Sequence, residues 1–134
     1  MEQPQQKNLF PSRMARLLVW LVYFACWTTA LIMPVPSQGA WRITGFTEVD
    51  LKFVFAKTVH VCGYALLTGL TGWLSVPQRY RLLMMFLLMG HATLTELIQL
   101  HVVDRHGDLH DVALDQVGIA IGLILSWGWW RDPD

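Results

Sequence analysis

Four long apolar runs constrain the fold of this chain more than any other feature of its sequence. They cover about residues 17–33, 53–75, 82–100 and 112–130, and a helix needs roughly 20 apolar residues to cross a bilayer. Hydrophobic residues make up 54% of the chain and charged residues 15%, a composition too apolar for an ordinary soluble domain. The sequence therefore predicts an all-α, multi-pass integral membrane protein built as a four-helix bundle.

The flanks of these runs indicate a single domain. The first run stops at Pro34 and Pro36, whose rings cannot continue a helix. Basic residues precede it, as in a signal peptide, but no small-residue cleavage site follows, so we expect the run to be retained. We find no internal repeat or linker, and residues 1–134 are predicted to form one transmembrane domain. Cys26 and Cys62 fall inside apolar runs and are assigned no disulfide.

The distribution of lysine and arginine predicts the orientation, because the cytoplasmic flanks of transmembrane helices collect positive charge. On one side of the predicted bundle lie Lys7, Arg13, Arg16, Arg79, Arg81 and Arg131. On the other side lie Arg42, Lys52 and Arg105. We therefore expect both termini in the cytoplasm, an arrangement written N-in/C-in.

Three of the runs carry a polar stripe, and the predicted topology places the three stripes at one level. They comprise Lys57, His60 and Tyr64 in the second run, Glu96 and Gln99 in the third, and Asp111 and Asp115 in the fourth. Residues three or four positions apart share a helix face, and a charge facing lipid at a helix centre costs about 2.5 to 3.5 kcal/mol. We therefore expect the stripes to face one another around a pocket that opens on the extracytoplasmic side. Gly118 and Gly122 continue the last stripe and permit close helix packing.

The first interpretation of this pocket is a binding site for an anionic amphiphile, such as a lipid-linked phosphate or a cell-wall precursor. Lysine and arginine can hold a phosphate or carboxylate through charge-assisted hydrogen bonds. The predicted ligand-binding residues are Lys57, Tyr64, Gln99, Arg105 and Asp115. Membrane lipids are then the expected partners, and the sequence leaves a homo-oligomer open.

Two other interpretations remain open. The pocket can be an active site for phosphoryl hydrolysis or transfer, with His60, Glu96 and Asp111 as candidate catalytic residues. Whether the protein is an enzyme is therefore undecided by the sequence. Alternatively, the charges only lock a structural or partner-binding bundle, with Lys57 paired to Glu96 or Asp115 and with His60 as an interhelical hydrogen-bonding residue.

The sequence argues against some binding partners. The segment from His101 to Asp111 is rich in His and Asp, but its spacing matches no zinc signature, so we predict no metal site. No cofactor is identified. The formal net charge is +0, and no basic helix or phosphate-binding loop is present in the sequence, so nucleic acid is not an expected partner. His91, in the middle of the third run, is left out of the predicted site.

The polar residues of the last three runs also form an ordered motif. It reads Lys57-x-x-His60-x-x-x-Tyr64, then Glu96-x-x-Gln99, Arg105, Asp111, Asp115, Gly118 and Gly122. This motif, within residues 50–122, resembles the VanZ-like family of small bacterial membrane proteins. The chain differs from the family pattern at Ala56, where Asp is common, at Asp115, where Asn is common, and at Asp108, where a small hydroxyl residue is usual.

The resemblance implies a location and a general role for the protein. The family takes its name from resistance to the glycopeptide teicoplanin, which implies a place in the cell envelope. It also implies a VanZ-like domain in the bacterial cytoplasmic (inner) membrane. The resemblance does not supply a reaction, so the three interpretations above stay open.

Overall fold

The computed structural model describes residues 11–33, 48–102 and 109–131, with side chains from Val54 onward in the second range. Every regular element in these ranges is a helix. The helices are α1 (Arg13–Ile32), α2 (Glu48–Trp73), α3 (Gln78–Gln99), α4 (Leu109–Leu125) and the short α5 (Trp127–Arg131). The all-α prediction is therefore confirmed for the described part of the chain.

Three of these helices are long and apolar enough to cross a membrane. They are α1, the Val54–Trp73 part of α2, and α3, by length and composition. The predicted multi-pass membrane protein is confirmed to that extent. The helix α4 has 17 residues and continues almost directly into α5.

The helix ends differ from the apolar runs because local backbone chemistry, not hydropathy, decides where a helix begins. Helix α1 begins at Arg13 rather than at residue 17, because the Ser12 side chain accepts a hydrogen bond from the Ala15 amide and caps the helix. Helix α3 begins at Gln78 rather than at residue 82, directly after Pro77. The fixed φ of proline, here −54°, suits a chain that is entering a helix.

The four long helices alternate in direction, as contacts between their ends show. Arg16, near the start of α1, donates to the carbonyl of Trp73 at the end of α2 over 3.3 Å. Arg81, near the start of α3, donates over 2.9 Å to the carbonyl of Arg131 in α5. The two ends of the described chain thus lie at the same end of the molecule. We call it the arginine end, after Arg16, Arg81 and Arg131.

The interior of the protein combines an apolar core with many polar side chains, and its surface is rich in large apolar side chains, unlike that of a soluble domain. The largest fully buried side chains are Tyr64, Leu67, Thr68, Thr71, Thr95 and Asp115. Large apolar side chains face outward, among them Leu109 at 84% and Leu125 at 80% exposure. This distribution is the one expected when lipid, rather than water, surrounds the helices, because apolar side chains gain nothing by leaving lipid.

Helices α2 and α4 run parallel and in close contact through two glycines. A Cβ atom placed on Gly118 would lie 2.5 Å from the carbonyl oxygen of Val61, and one on Gly122 would overlap the carbonyl oxygen of Ala65. The expected close packing at both glycines is therefore present. This close contact sets the distance between α2 and α4. It also brings Asp115, one turn before Gly118, beside His60 of α2.

Candidate functional site

A group of buried and partly buried polar residues lies at the end of the molecule opposite the arginine end. We call this group the polar cluster, and it consists of Lys57 and His60 from α2, Glu96 and Gln99 from α3, and Asp111 and Asp115 from α4. Lys57 lies 16 residues before Trp73, which is about 24 Å along a helix. Three separate helices thus supply polar side chains to one level of the interior.

An ion pair between α2 and α4 forms the outermost part of the polar cluster. The Lys57 ammonium donates to Oδ1 of Asp111, and the two side chains are 19% and 11% exposed. Asp111 also lies in the first turn of α4, where the positive end of the helix dipole favours a carboxylate. The sequence offers Glu96 or Asp115 as a partner of Lys57, and the structure shows an ion pair of Lys57 with Asp111.

A buried triad of His60, Glu96 and Asp115 lies one helical turn deeper. Nδ1 of His60 is 2.9 Å from Oδ1 of Asp115 and 3.7 Å from Oε1 of Glu96. A carboxylate can only accept hydrogen bonds, so Nδ1 is the donor when Asp115 is ionised. Asp115 has no exposed surface, and its Oδ2 has no hydrogen-bond partner among the residues that the structure describes. The triad therefore brings two carboxylates against one imidazole in a site closed to solvent.

Gln99 extends this interior at the end of α3. It is buried, and its Nε2 lacks a hydrogen-bond partner within the described ranges. Buried polar atoms without partners are uncommon in folded proteins, because each costs about 1 to 3 kcal/mol of desolvation. Within the described ranges, Gln99 therefore leaves an amide donor unused and Asp115 a carboxylate acceptor.

A separate chain of hydrogen bonds lies between the polar cluster and the arginine end. The Tyr64 hydroxyl lies 3.0 Å from Nδ1 of His91 and 3.1 Å from Oγ1 of Thr95. Nε2 of His91 lies 3.0 Å from the Thr28 hydroxyl, which itself donates to the carbonyl of Phe24. Since the Thr28 proton is already used, Nε2 of His91 donates and its Nδ1 accepts from Tyr64.

Trp27 closes the site on the side of α1. Its ring meets His60 and Tyr64 edge-on, with centroids 6.4 Å and 5.8 Å away. The ring packs directly over Gly63, where a Cβ atom would overlap it. The aromatic ring thus excludes solvent from one flank of the triad, which strengthens the electrostatic interactions inside it.

The structure brings together most of the residues predicted for the site. Lys57, His60, Glu96, Asp111 and Asp115 meet as one group, with Gln99 on the next turn of α3. Tyr64 lies beside this group and is bonded to His91 and Thr95. Arg105 lies outside the described residues, as do Asp104, His106 and Asp108 of the histidine-rich segment.

Sequence reasoning missed His91, Thr28 and Trp27. His91 stands alone in an apolar run, and a polar ring at that depth requires a partner, so its burial cost was a usable signal. Thr95, four residues later on the same face, was a second signal. Trp27 carried no signal of its own, because an aromatic residue in an apolar run is equally suited to face lipid.

The residues that could hold a metal ion, within the part of the chain described, are His60, Glu96 and Asp115. One ligand atom from each lies within 4.8 Å of the other two. Comparisons of the chain with protein-family models, with curated proteins and with solved structures found no match. The functional conclusion therefore rests on the residues of the chain and their geometry.

Proposed function

We propose that this chain is a VanZ-like protein of the bacterial cytoplasmic membrane, with four spans and both termini in the cytoplasm, and that it binds an anionic head group. In this proposal α4 and α5 together form the fourth span. The polar cluster then faces the extracytoplasmic side, where a lipid-linked phosphate or cell-wall precursor presents its head group. Lys57 and Arg105 supply the positive charge, and Tyr64, Gln99 and Asp115 complete the site.

The membrane orientation is supported by the position of the arginines. Arg16, Arg81 and Arg131 lie together at one end of the molecule, opposite the polar cluster. Basic residues favour the cytoplasmic side, so the arginine end would face the cytoplasm. The predicted positions of Lys7 and Arg42 lie outside the described residues.

The observation that carries the binding function is the burial of a whole group of ionisable residues at one depth. Ionisable residues inside a membrane are costly and usually mark a ligand or ion site. A protein needing only helix packing already has the contacts at Gly118 and Gly122. The unpartnered Nε2 of Gln99 adds a hydrogen-bond donor that the described residues do not use.

Binding can be tested with two lipids that differ only in charge. The purified full chain in detergent is mixed with a polyprenyl phosphate or with the polyprenol of equal length, and bound lipid is counted by native mass spectrometry. The proposal expects a preference for the phosphate. Lys57→Met should lower phosphate-lipid affinity about tenfold, the effect of losing one charge-assisted hydrogen bond worth roughly 1.5 kcal/mol.

Two variants make this test selective. Arg79→Met removes an exposed cation at the first turn of α3, near the arginine end, and should leave the affinity unchanged. Asp111→Asn removes the ion-pair partner of Lys57 and should maintain or raise the affinity. If folded Lys57→Met binds the phosphate lipid as well as the original protein does, the head-group function is wrong. A polar cluster that only locks the helices would then be the better interpretation.

A second candidate, phosphoryl hydrolysis or transfer, is favoured by the geometry of His60. Its Nδ1 is bonded to Asp115, and such a bond orients the imidazole so that Nε2 can act as base or nucleophile. This activity predicts phosphate release from a polyprenyl phosphate and its loss in His60→Gln at equal folded abundance. Binding of the phosphate lipid without turnover would leave head-group binding as the function.

A further inference from the structure

The triad of His60, Glu96 and Asp115 has the donor atoms and spacing of a metal site. Nδ1 of His60 lies 2.9 Å from a carboxylate oxygen of Asp115 and 3.7 Å from one of Glu96. Ligand atoms bonded about 2.1 Å from one ion stand roughly 3.0 to 3.4 Å from each other, whether the geometry is octahedral or tetrahedral. The two observed distances lie on either side of that range. Small side-chain movements would therefore bring all three donors onto one ion.

The charge of the triad favours a divalent cation. Two ionised carboxylates and a neutral imidazole together carry two negative charges. A divalent ion bound by Glu96, Asp115 and neutral His60 carries two positive charges, so the ion and its three ligands are neutral as a unit.

An oxygen atom in the triad is left without a hydrogen bond by the described residues. Asp115 is fully buried, and its Oδ2 has no hydrogen-bond partner in the described structure. Coordination to a cation would satisfy this oxygen, since a carboxylate can bind an ion through either or both oxygens. The orphaned oxygen is independent of the donor spacing, and both point to the same ligand.

The three donors are held by rigid elements rather than by a loop. His60 comes from α2, Glu96 from α3 and Asp115 from α4, and Gly118 holds α4 against Val61 one turn away. Sites on packed helices keep their geometry better than sites on loops. Three protein ligands also leave coordination positions open to water or to an oxygen of a ligand.

We propose that His60, Glu96 and Asp115 form a buried binding site for a divalent first-row transition-metal ion such as Mn²⁺ or Zn²⁺. Imidazole and carboxylate donors together suit these ions, whereas Ca²⁺ and Mg²⁺ take mainly oxygen ligands. The sequence predicts no metal site because its local spacing matches no zinc signature, whereas these three residues lie on three different helices. This site does not depend on the proposed head-group function.

The test uses the full chain, stripped with a chelator and kept in detergent without added lipid. Titration with Mn²⁺ is followed by the electron paramagnetic resonance signal of the free ion, and Zn²⁺ is measured by its competition with Mn²⁺. We expect one bound ion per chain, displaced by Zn²⁺ and poorly displaced by Mg²⁺. Glu96→Gln and Asp115→Asn keep the side-chain shape and should each weaken Mn²⁺ binding at least about tenfold.

A matched control separates the triad from other donors. His101→Gln removes an exposed imidazole at the end of α3, outside the triad. This variant should keep the bound ion. If the folded original protein takes up no Mn²⁺ or Zn²⁺ at millimolar concentration, or if the triad variants bind as well as it does, the metal site is wrong.

A spectroscopic measurement decides the case in which the triad variants fail to fold. Mn²⁺ bound to the original protein should show electron spin-echo modulation from a histidine nitrogen, and His101→Gln should retain it. Absence of that nitrogen coupling would overturn the proposal. Lipid binding is measured in a separate experiment, with and without a chelator. Because the metal titration contains no added lipid, its result does not change if the protein fails to bind the head group.

Discussion

Helices α2 and α4 are joined by charges at one end and by glycines at the other. Toward the extracytoplasmic side of the proposed topology, Lys57 pairs with Asp111 and His60 bonds to Asp115. Farther along, Gly118 and Gly122 bring α4 directly against the α2 backbone. The same two parallel helices are thus held together by charged side chains in one region and by close backbone contacts at glycines a few turns away.

The difference between these regions indicates a division of roles. Close contact at small residues gains dispersion energy without burying any charge, so it is an efficient way to pack helices in lipid. Buried ion pairs must first lose their hydration, and replacing them with apolar residues is often neutral or stabilising. We therefore assign the stability of the α2–α4 contact mainly to the glycine region and the function mainly to the charged region.

The largest effect is expected from filling the glycine contact. Gly122→Leu would place its side chain into the Ala65 carbonyl and the Thr68 side chain, so we expect the free energy of unfolding to fall by at least about 3 kcal/mol. The loss can be measured by unfolding in mixed micelles with increasing dodecyl sulfate. Gly90→Leu is the matched control, because a Cβ atom at Gly90 meets nothing within 4 Å. Equal stability of the two variants would contradict the assigned division.

Loss of the buried hydrogen bond between His60 and Asp115 should lower the free energy of unfolding by a smaller amount. Asp115→Leu leaves the His60 donor without its 2.9 Å acceptor and should lower the free energy of unfolding by about 1 to 3 kcal/mol. Replacing both residues by leucine should recover much of that loss, because the buried His60 donor is then removed together with its acceptor. The same unfolding assay measures both variants. If the double variant is less stable than Asp115→Leu, the hydrogen bond is not the main cause of the loss.

The smallest effect is expected from the outer ion pair. Lys57 and Asp111 are partly exposed, and a double-mutant cycle of Lys57→Met and Asp111→Leu should give a coupling energy of only about 0.5 to 1 kcal/mol. Added salt should reduce that coupling, because exposed charges are screened. A coupling above that of His60 and Asp115 would reverse the order of the two interactions.

Much of the candidate site follows from one-dimensional patterns. Lys57, His60, Glu96 and Asp115 recur at helical spacing within apolar runs, and the cost of exposing them to lipid requires that they face one another. The direction of each run then places them at one depth. For these reasons the sequence predicts both the helices and the level at which their charges meet.

The partners of these residues do not follow from such patterns. Lys57 pairs with Asp111 and His60 with Asp115 because the Gly118 contact sets the position of α4 along α2. A slide by one turn, about 5.4 Å, would exchange the partners while keeping the same sequence pattern. His91 escaped prediction for a related reason, since its partners Tyr64 and Thr28 belong to other helices.

The sequence by itself determined the helical class, the membrane character and the faces that carry charge, because hydropathy and helical period are properties of a single segment. Only the tertiary structure decided which carboxylate meets Lys57, which two approach His60, and that one ligand atom from each member of the triad lies within 4.8 Å of the other two. Those outcomes depend on distances of a few ångströms between helices that are far apart in the chain. The two glycines of α4 set the distance between α2 and α4, since any larger side chain there would separate these two helices.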